Sequence, residues 1–299
     1  MRPFILLLIV AFTSFAQEPD FHYKGLSVSL DSVAAGSEVR KIQVLAASEK
    51  NPVKRVLLQK AAQDYAWLDV LRKDRKVILV NIPSAMMRVF SGTEEVLKMK
   101  VIVGKKSNQT RTLLSKVDQL TINPYWFITR RMATVELLPK IQKNHQFLDD
   151  NQIRVLDAKY RVVDAHSINW SNLNKNNFPY ILRQNSGENN ALGALKFHFN
   201  NPFSLYLHDT DSKKLFASTE RFFSHGCIRL EKPKDLARLL LADNHIALDT
   251  VKFNHHIKNP KPLALKAKEE YILVIWYSLV DFDEKGEVVF FKDVYGLVQ

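Results

Sequence analysis

A single cysteine, Cys227, occurs in this 299-residue chain, so no disulfide can form within it and stability must come from burial. No apolar run reaches the length of a membrane span: 4–12 (FILLLIVAF) and 271–279 (YILVIWYSL) are both too short. The chain lacks a Gly-rich phosphate loop and a GxSxG elbow, which removes the P-loop nucleotide and serine-hydrolase readings. It has no internal repeat and no low-complexity segment, which removes the repeat architectures.

What is present is an ordinary globular balance, 46% apolar and 25% charged, with enough apolar residues for one large core or two modest ones. The formal charge of +12 would raise nucleic acid as a partner in a cytosolic protein. The basic residues are spread along the chain, however, and only 72–76 (RKDRK) forms a tight run, which reads as a solvated linker. Residues 1–16 read as a secretory signal peptide. Arg2 supplies the charged start, 4–12 the apolar core, and Ser14 and Ala16 the small residues before a cut that leaves Gln17 first. Gln17, not a cysteine, stands just after the cut, so no lipoprotein anchor is expected. The expectation is export to the periplasm or cell envelope, with no nucleic acid partner and no stable membrane insertion after signal cleavage.

Residues 17–53 are weakly patterned. In 54–73, Leu57, Ala61, Tyr65, Leu68 and Leu71 recur at helical steps and predict an amphipathic helix, with a domain boundary near 76. Strand signals then dominate: 77–82 (VILVNI), a hairpin of 87–90 and 96–103 around Ser91-Gly92-Thr93, and 120–122 before Asn123-Pro124. Residues 132–143 predict a helix kinked or ended by Pro139. The stretch 144–192 is rich in Asn, Asp and Ser, with a small hairpin at 153–156 and 160–163, and reads as an insertion over the main domain. Strands are expected again at 196–199 and 204–207, and a helix at 233–241. A closing hairpin is expected from 271–279 and 288–291 around Asp283-Glu284-Lys285-Gly286. The fold class is mainly β (α+β), divided into a partly helical segment 17–76, a central domain 77–253 and a C-terminal hairpin 254–299 packing on it.

The chemistry centres on 223–230 (FSHGCIRL) and on His208 in 205–210 (LYLHDT). A thiol with an imidazole to take its proton has the parts of a cysteine nucleophile with its base. One unpaired thiol kept by an exported chain points to chemistry more than to packing. His225, two residues from Cys227, would share its face in an extended strand. Gly226 would let a substrate carbonyl approach, with nearby N–H groups holding an oxyanion. Arg229 could bind a carboxylate. The bland readings are a buried small hydrophobe for Cys227 and a solvated loop pair for His255-His256. A zinc site of His208, Asp209, His225 and Cys227 fits no familiar spacing.

The segment SHGCIRLE, with HDT upstream, closely resembles the signature of the L,D-transpeptidases, the family built on the YkuD-type catalytic domain. ILVNIPSAMMRVF (78–90), MKVIVGK (99–105), INPYW (122–126), ALGALKFHF (191–199) and LYLHDTDSKKLF (205–216) extend the likeness over 77–299, toward the YcbB-like branch with a capping insertion. The resemblance implies a β-sandwich-like catalytic domain with the cysteine on a strand and a cap at 143–191. It implies Cys227 as nucleophile, His208 as proton donor and acceptor, and the backbone carbonyl of Asp209 orienting His208. It further implies an oxyanion region shaped by His225 and Gly226, and Arg229 and Ser224 on the substrate. The implied reaction joins third-position residues of peptidoglycan tetrapeptide stems, as donor and acceptor, through a thioester that carbapenems also form, with no cofactor. Hydrolysis of the same thioester, as an L,D-carboxypeptidase or amidase, and a catalytically idle wall-binding module are the alternatives.

Overall fold

The computed structural model describes residues 36–187, 189–243, 250–259 and 261–298. The expected signal peptide at 1–16 lies outside these residues.

Two antiparallel helices lead. α1 (Ser37–Ser48) is absent from the sequence reading, although Val39, Ile42 and Ala46 share one buried face. α2 (Pro52–Arg72) matches the expected helix; Pro52 opens it and the Asn51 side chain caps it by accepting from the Lys54 N–H at 3.1 Å. Four strands follow: β1 (Lys76–Asn81), β2 (Met86–Ser91), β3 (Glu94–Gly104) and β4 (Leu113–Ile122). β4 starts seven residues before the expected strand. A second unit then holds β5 (Trp126–Phe127), a π-helical turn (Met132–Leu137), α3 (Leu138–Lys143), α4 (Phe147–Asp150), β6 (Ile153–Leu156), β7 (Val162–Val163) and β8 (Ile181–Gln184). The chain returns through β9 (Leu195–Phe199), β10 (Leu207–His208), β11 (Phe222–Ser224) and β12 (Ile228–Leu230). It ends with α5 (Pro233–Asp243), α6 (Thr250–Lys258), β13 (Leu263–Trp276), β14 (Val280–Phe282) and β15 (Val288–Phe290).

The main sheet runs β11-β3-β12-β10-β9-β4-β13-β1-β2, and β2 pairs back onto β3, so the sheet closes on itself. Period-two alternation sorts its side chains into an inside and an outside. On β1, Ile78 and Val80 join the interior with Leu207, Phe197, Ile228, Leu230 and Ile275. Val77 and Leu79, with Ile272, Val274 and Trp276 of β13, face outward and are covered by Ile42, Leu58, Tyr65 and Leu68 of the two helices. Strands covered on both faces read as continuous apolar runs, which is why 77–82 shows no alternation. Each fully buried Leu or Ile contributes about 1.5–3 kcal/mol. Inside the joint between α2, β1 and β14, the Asp281 carboxylate accepts from Tyr65, Asn81 and Ser84 at 2.6, 2.8 and 2.7 Å.

Three expectations are corrected. The C-terminal hairpin does not form from 271–279: β13 is an interior strand between β4 and β1, and β15 pairs with β14 instead. The strand expected at 204–207 is confined to its end, because Ser204 takes φ +56. His255 and His256 lie in α6 rather than in a loop.

The second unit has its own four-stranded sheet, β5-β8-β6-β7, containing the expected hairpin. Its core of Ile141, Trp170, Phe178 and Leu182 also takes Ile128, Ala133 and Leu138, so the unit reaches back beyond 143. Pro139 sits in the first turn of α3, where the π-helical turn gives way to α-helix.

Candidate active site

The site follows from strand alternation. β10 runs parallel to β12, with Leu207 opposite Ile228 and His208 opposite Arg229. Leu207, Ile228 and Leu230 turn into the core. Their neighbours Tyr206, His208, Cys227 and Arg229 therefore share the other face. β9 adds Lys196, opposite His208, to that face.

Cys227 lies in the turn between β11 and β12, one residue before the strand on which the resemblance places it. Gly226 adopts φ +117, a conformation open to glycine and strained for other residues. The Ser224 hydroxyl donates to the Cys227 carbonyl at 2.6 Å and accepts from the Gly226 N–H at 3.1 Å. The Thr110 hydroxyl donates to the Gly226 carbonyl at 2.7 Å and accepts from the Gly104 N–H at 2.9 Å. The Tyr295 hydroxyl donates to the Gly104 carbonyl at 2.6 Å. The turn is thus pinned from both sides.

These bonds change the expected roles. Ser224 is 2% exposed and its hydroxyl is engaged by the backbone, so it shapes the loop. The Gly226 N–H is already committed to Ser224, whereas among the described residues the Cys227 N–H meets no acceptor and is the better oxyanion donor. His225 does not share the face of Cys227, because the turn carries it away. Its Nε2 lies 3.0 Å from Glu136 Oε1 in the π-helical turn of the second unit. With the Asn108 amide oriented to present its oxygen, Arg131 donates to it at 2.7 Å, a second tie between the same turn and the main domain.

His208 is 5% exposed and, among the described residues, its Nδ1 has no hydrogen-bond partner. Burial pushes its pKa down to about 3, helped by Arg229, Lys196 and Lys213. The Asp209 backbone pulls the other way, at a geometry too poor for a full hydrogen bond. The Asp209 side chain serves the scaffold: it accepts from the Ala194 N–H at 2.9 Å, the Thr210 N–H at 2.8 Å and the Lys213 ammonium. Gly193, at φ +59, permits this approach, since a Cβ there would fall 2.5 Å from Asp209 Cγ.

Cys227 keeps partial exposure, and its Sγ lies 3.9 Å from the Ser204 carbonyl. Surrounding protein pushes the thiol pKa up, while the Tyr206 backbone and hydroxyl, Lys196 and Arg229 pull it down. Tyr206 is absent from the sequence reading, although its place two residues before His208 was the available signal. Burial and the Cys227 charge push its phenol well up, while the Trp126 indole pulls it down. At neutral pH the site therefore holds a neutral imidazole able to accept a proton and a thiol able to give one. Arg229 keeps its expected place on the face, with Asp211 and Cys227 its attractive charges.

Among the described residues no group of three or more His, Cys, Asp or Glu side chains is gathered as a metal site needs. No helix among them is long and apolar enough to cross a membrane. A concavity of about 880 Å³ is lined by Arg75, Lys76, Gly92, Lys116 and Glu270 at the β1–β13 side of the sheet, and neither Cys227 nor His208 lines it.

Residues 75–252 match the family model of the YkuD L,D-transpeptidase catalytic domain. A Haemophilus influenzae protein provisionally named an L,D-transpeptidase is 31% identical over 240 residues, 80% of this chain and 48% of its own length. The chain therefore spans about half the length of that relative. Among solved structures, the avibactam carbamoyl enzyme of Ldtfm has a TM-score of 0.33 at 12% identity, covering 68% of this chain and 49% of the other. An L,D-transpeptidase from Mycobacterium smegmatis has a TM-score of 0.27 at 13% identity, covering 68% and 58%. With the family model covering more than half of its length, the chain belongs to the YkuD-type L,D-transpeptidase catalytic domain family.

Proposed function

We propose that the protein is an exported peptidoglycan L,D-transpeptidase that joins third-position stem residues through a thioester on Cys227. The observation that carries this reading is the placement of His208 and Arg229 opposite one another on the parallel strands β10 and β12, with Cys227 in the turn that leads into β12. In this reading His208 takes the Sγ proton as sulfur attacks the carbonyl of the L,D peptide bond, and the C–S bond forms while the carbonyl pair moves to oxygen. The Cys227 N–H faces that oxyanion. Collapse breaks the C–N bond, and the terminal amino acid leaves with the proton held by His208. An amine of a second stem then repeats the steps in reverse and frees the thiol.

The unit of β5 to β8 acts as a cap that grips the donor stem, and its contacts Glu136–His225 and Arg131–Asn108 hold it beside the catalytic turn. Arg229 receives a stem carboxylate. The excess of basic residues suits an anionic wall.

The test is incubation of the purified protein with disaccharide-tetrapeptide, with products read by mass spectrometry. The expected products are the cross-linked dimer and free terminal amino acid. Tripeptide without dimer would replace transfer by hydrolysis, and no product with a folded protein would reject the enzyme reading.

A further inference from the structure

Beside the nucleophile stands a cation that the mechanism above leaves unused. Lys196 is paired with His208 across β9 and β10 and with Thr121 across β9 and β4, so its side chain rises on the same polar face as Cys227. Its ammonium lies 4.1 Å from the centroid of the Tyr206 ring. Tyr206 in turn packs edge-on against His208, with ring centroids 5.4 Å apart. Of the other cations of the face, Lys213 pairs with Asp209, and Arg229 has Asp211 as an attractive charge besides Cys227. Among the described residues no carboxylate lies within ion-pair distance of Lys196. A half-buried ammonium without a counter-charge is costly, and a cation–π contact offsets only about 0.5–2 kcal/mol of that cost. Such a charge is kept where an anion is made during the reaction.

We propose that Lys196 is the standing counter-charge of the Cys227 thiolate, held beside the nucleophile by the ring of Tyr206. The proposal rests on Cys227 being the nucleophile and adds a positioning residue to its activation. When Sγ gives its proton to His208, the new anion is formed facing an ammonium that needs no reorganisation. Because His208 is a poor holder of a proton in this buried place, a second source of stabilisation for the thiolate is needed. The mutual attraction of Lys196 and Cys227 is consistent with this: Cys227 is the only group that raises the lysine's pKa against its burial, and Lys196 is among those that lower the thiol's. The remaining groups around the lysine are His198 on its own strand, Thr121 and Gln119 on β4, His208 on β10 with Tyr206 just before it, and Arg229 on β12 with Cys227 just before it. None of these is a carboxylate.

The single cysteine makes the test clean, since alkylation by iodoacetamide reports on Cys227 alone. Rates of alkylation against pH are compared for wild type, K196M and K196R, with thermal melting of each. K196M should raise the apparent thiol pKa by about one unit, a tenfold loss of thiolate near neutral pH. K196R, which restores the charge, should return it to within a few tenths of the wild-type value. An unchanged thiol pKa in a folded K196M overturns the proposal, and so does a folded K196R whose thiol rises as far as that of K196M. A K196M enzyme with raised KM and an unmoved thiol would make Lys196 a substrate contact instead and also overturns it. A wild type inactive on stems would sink the functional reading and still leave the alkylation comparison decisive for Lys196.

Discussion

At the residue scale the two histidines of the motif have separated. His208 stands on the thiol's face, and burial with its cationic neighbours keeps it neutral down to about pH 3. His225 reaches the other way, to Glu136. H208A should therefore lower acylation by about 10²–10⁴-fold, the range for loss of a positioned base. H225A should cost about tenfold or less, because it loosens the cap without touching the proton path. Single-turnover acylation followed by intact mass separates the two. If H225A proves the more damaging, the roles are exchanged. Cys227 and His208 were legible in the sequence because one spare thiol beside imidazoles has few other uses. Tyr206 and Lys196 were not, since each matters only through a neighbour on another strand, and a Tyr or Lys alternating with apolar residues reads as an ordinary strand face. The side chain of His225 was misplaced for a related reason. Two-residue spacing gives a shared face only in an extended strand, and Gly226 at φ +117 breaks the strand between them.

At the scale of elements, the turn that carries Cys227 depends on a hydroxyl engaged with the backbone on both sides. Ser224 satisfies two buried backbone groups at once, the Gly226 N–H and the Cys227 carbonyl. S224A would strand both, at a cost of about 1–3 kcal/mol, and would let the turn relax away from His208. A lowered kcat with a small drop in melting temperature is expected, and S224T should recover most of both. Equal kinetics for S224A and wild type would show that the turn keeps its shape without this hydroxyl. Most strands of the main sheet and α2 were readable, because their apolar pattern is strong and local. The longer strand β13 was only half seen: its second half, 271–276, is buried, but its first half, 263–270, is charged and mostly solvent-facing, and a break in register between Lys266 and Tyr271 separates them. The partner of 288–290 was misjudged because β13 is held by β4 and β1, a long-range pairing that no turn signal announces. α1 shows a buried face of only three residues, and what it packs on comes from α2 and the far end of the chain. The second unit could be recognised as a polar insertion, yet its core draws on Ile128, Ala133 and Leu138, whose apolar character looked like part of the main domain.

At the scale of the whole molecule, the polar face that makes the site also makes the fold sensitive to acid. His208 and His198 are both held neutral, at pKa values of about 3 and about 4, by burial and by the cations around them. In the unfolded chain each would titrate near its ordinary value of about 6.5. The folded pKa is the lower one, so below pH 6.5 the unfolded state binds protons that the folded state refuses. Stability from this source is complete above pH 6.5 and is lost as pH falls toward the folded values. The lowered carboxylates Asp157, Asp283 and Asp293 act in a separate window, since their contribution is lost only as pH falls below the ordinary carboxylate range. Between pH 6.5 and 4.5 the histidines should therefore set the trend. His208, almost fully buried, should account for on the order of 2 kcal/mol at the acid end, and His198, which is more exposed, for less. Urea unfolding at a series of pH values should show a falling midpoint across this range. H198Q should make the fall shallower, and H198Q combined with H208Q should flatten it further. Among the described residues the His198 ring meets the Thr121 hydroxyl at 3.3 Å, a partner that a glutamine amide can also reach, so the variant should fold. A slope that is the same in wild type and in the double variant would mean that neither imidazole is held neutral by the fold, and would remove the basis for a free base at His208.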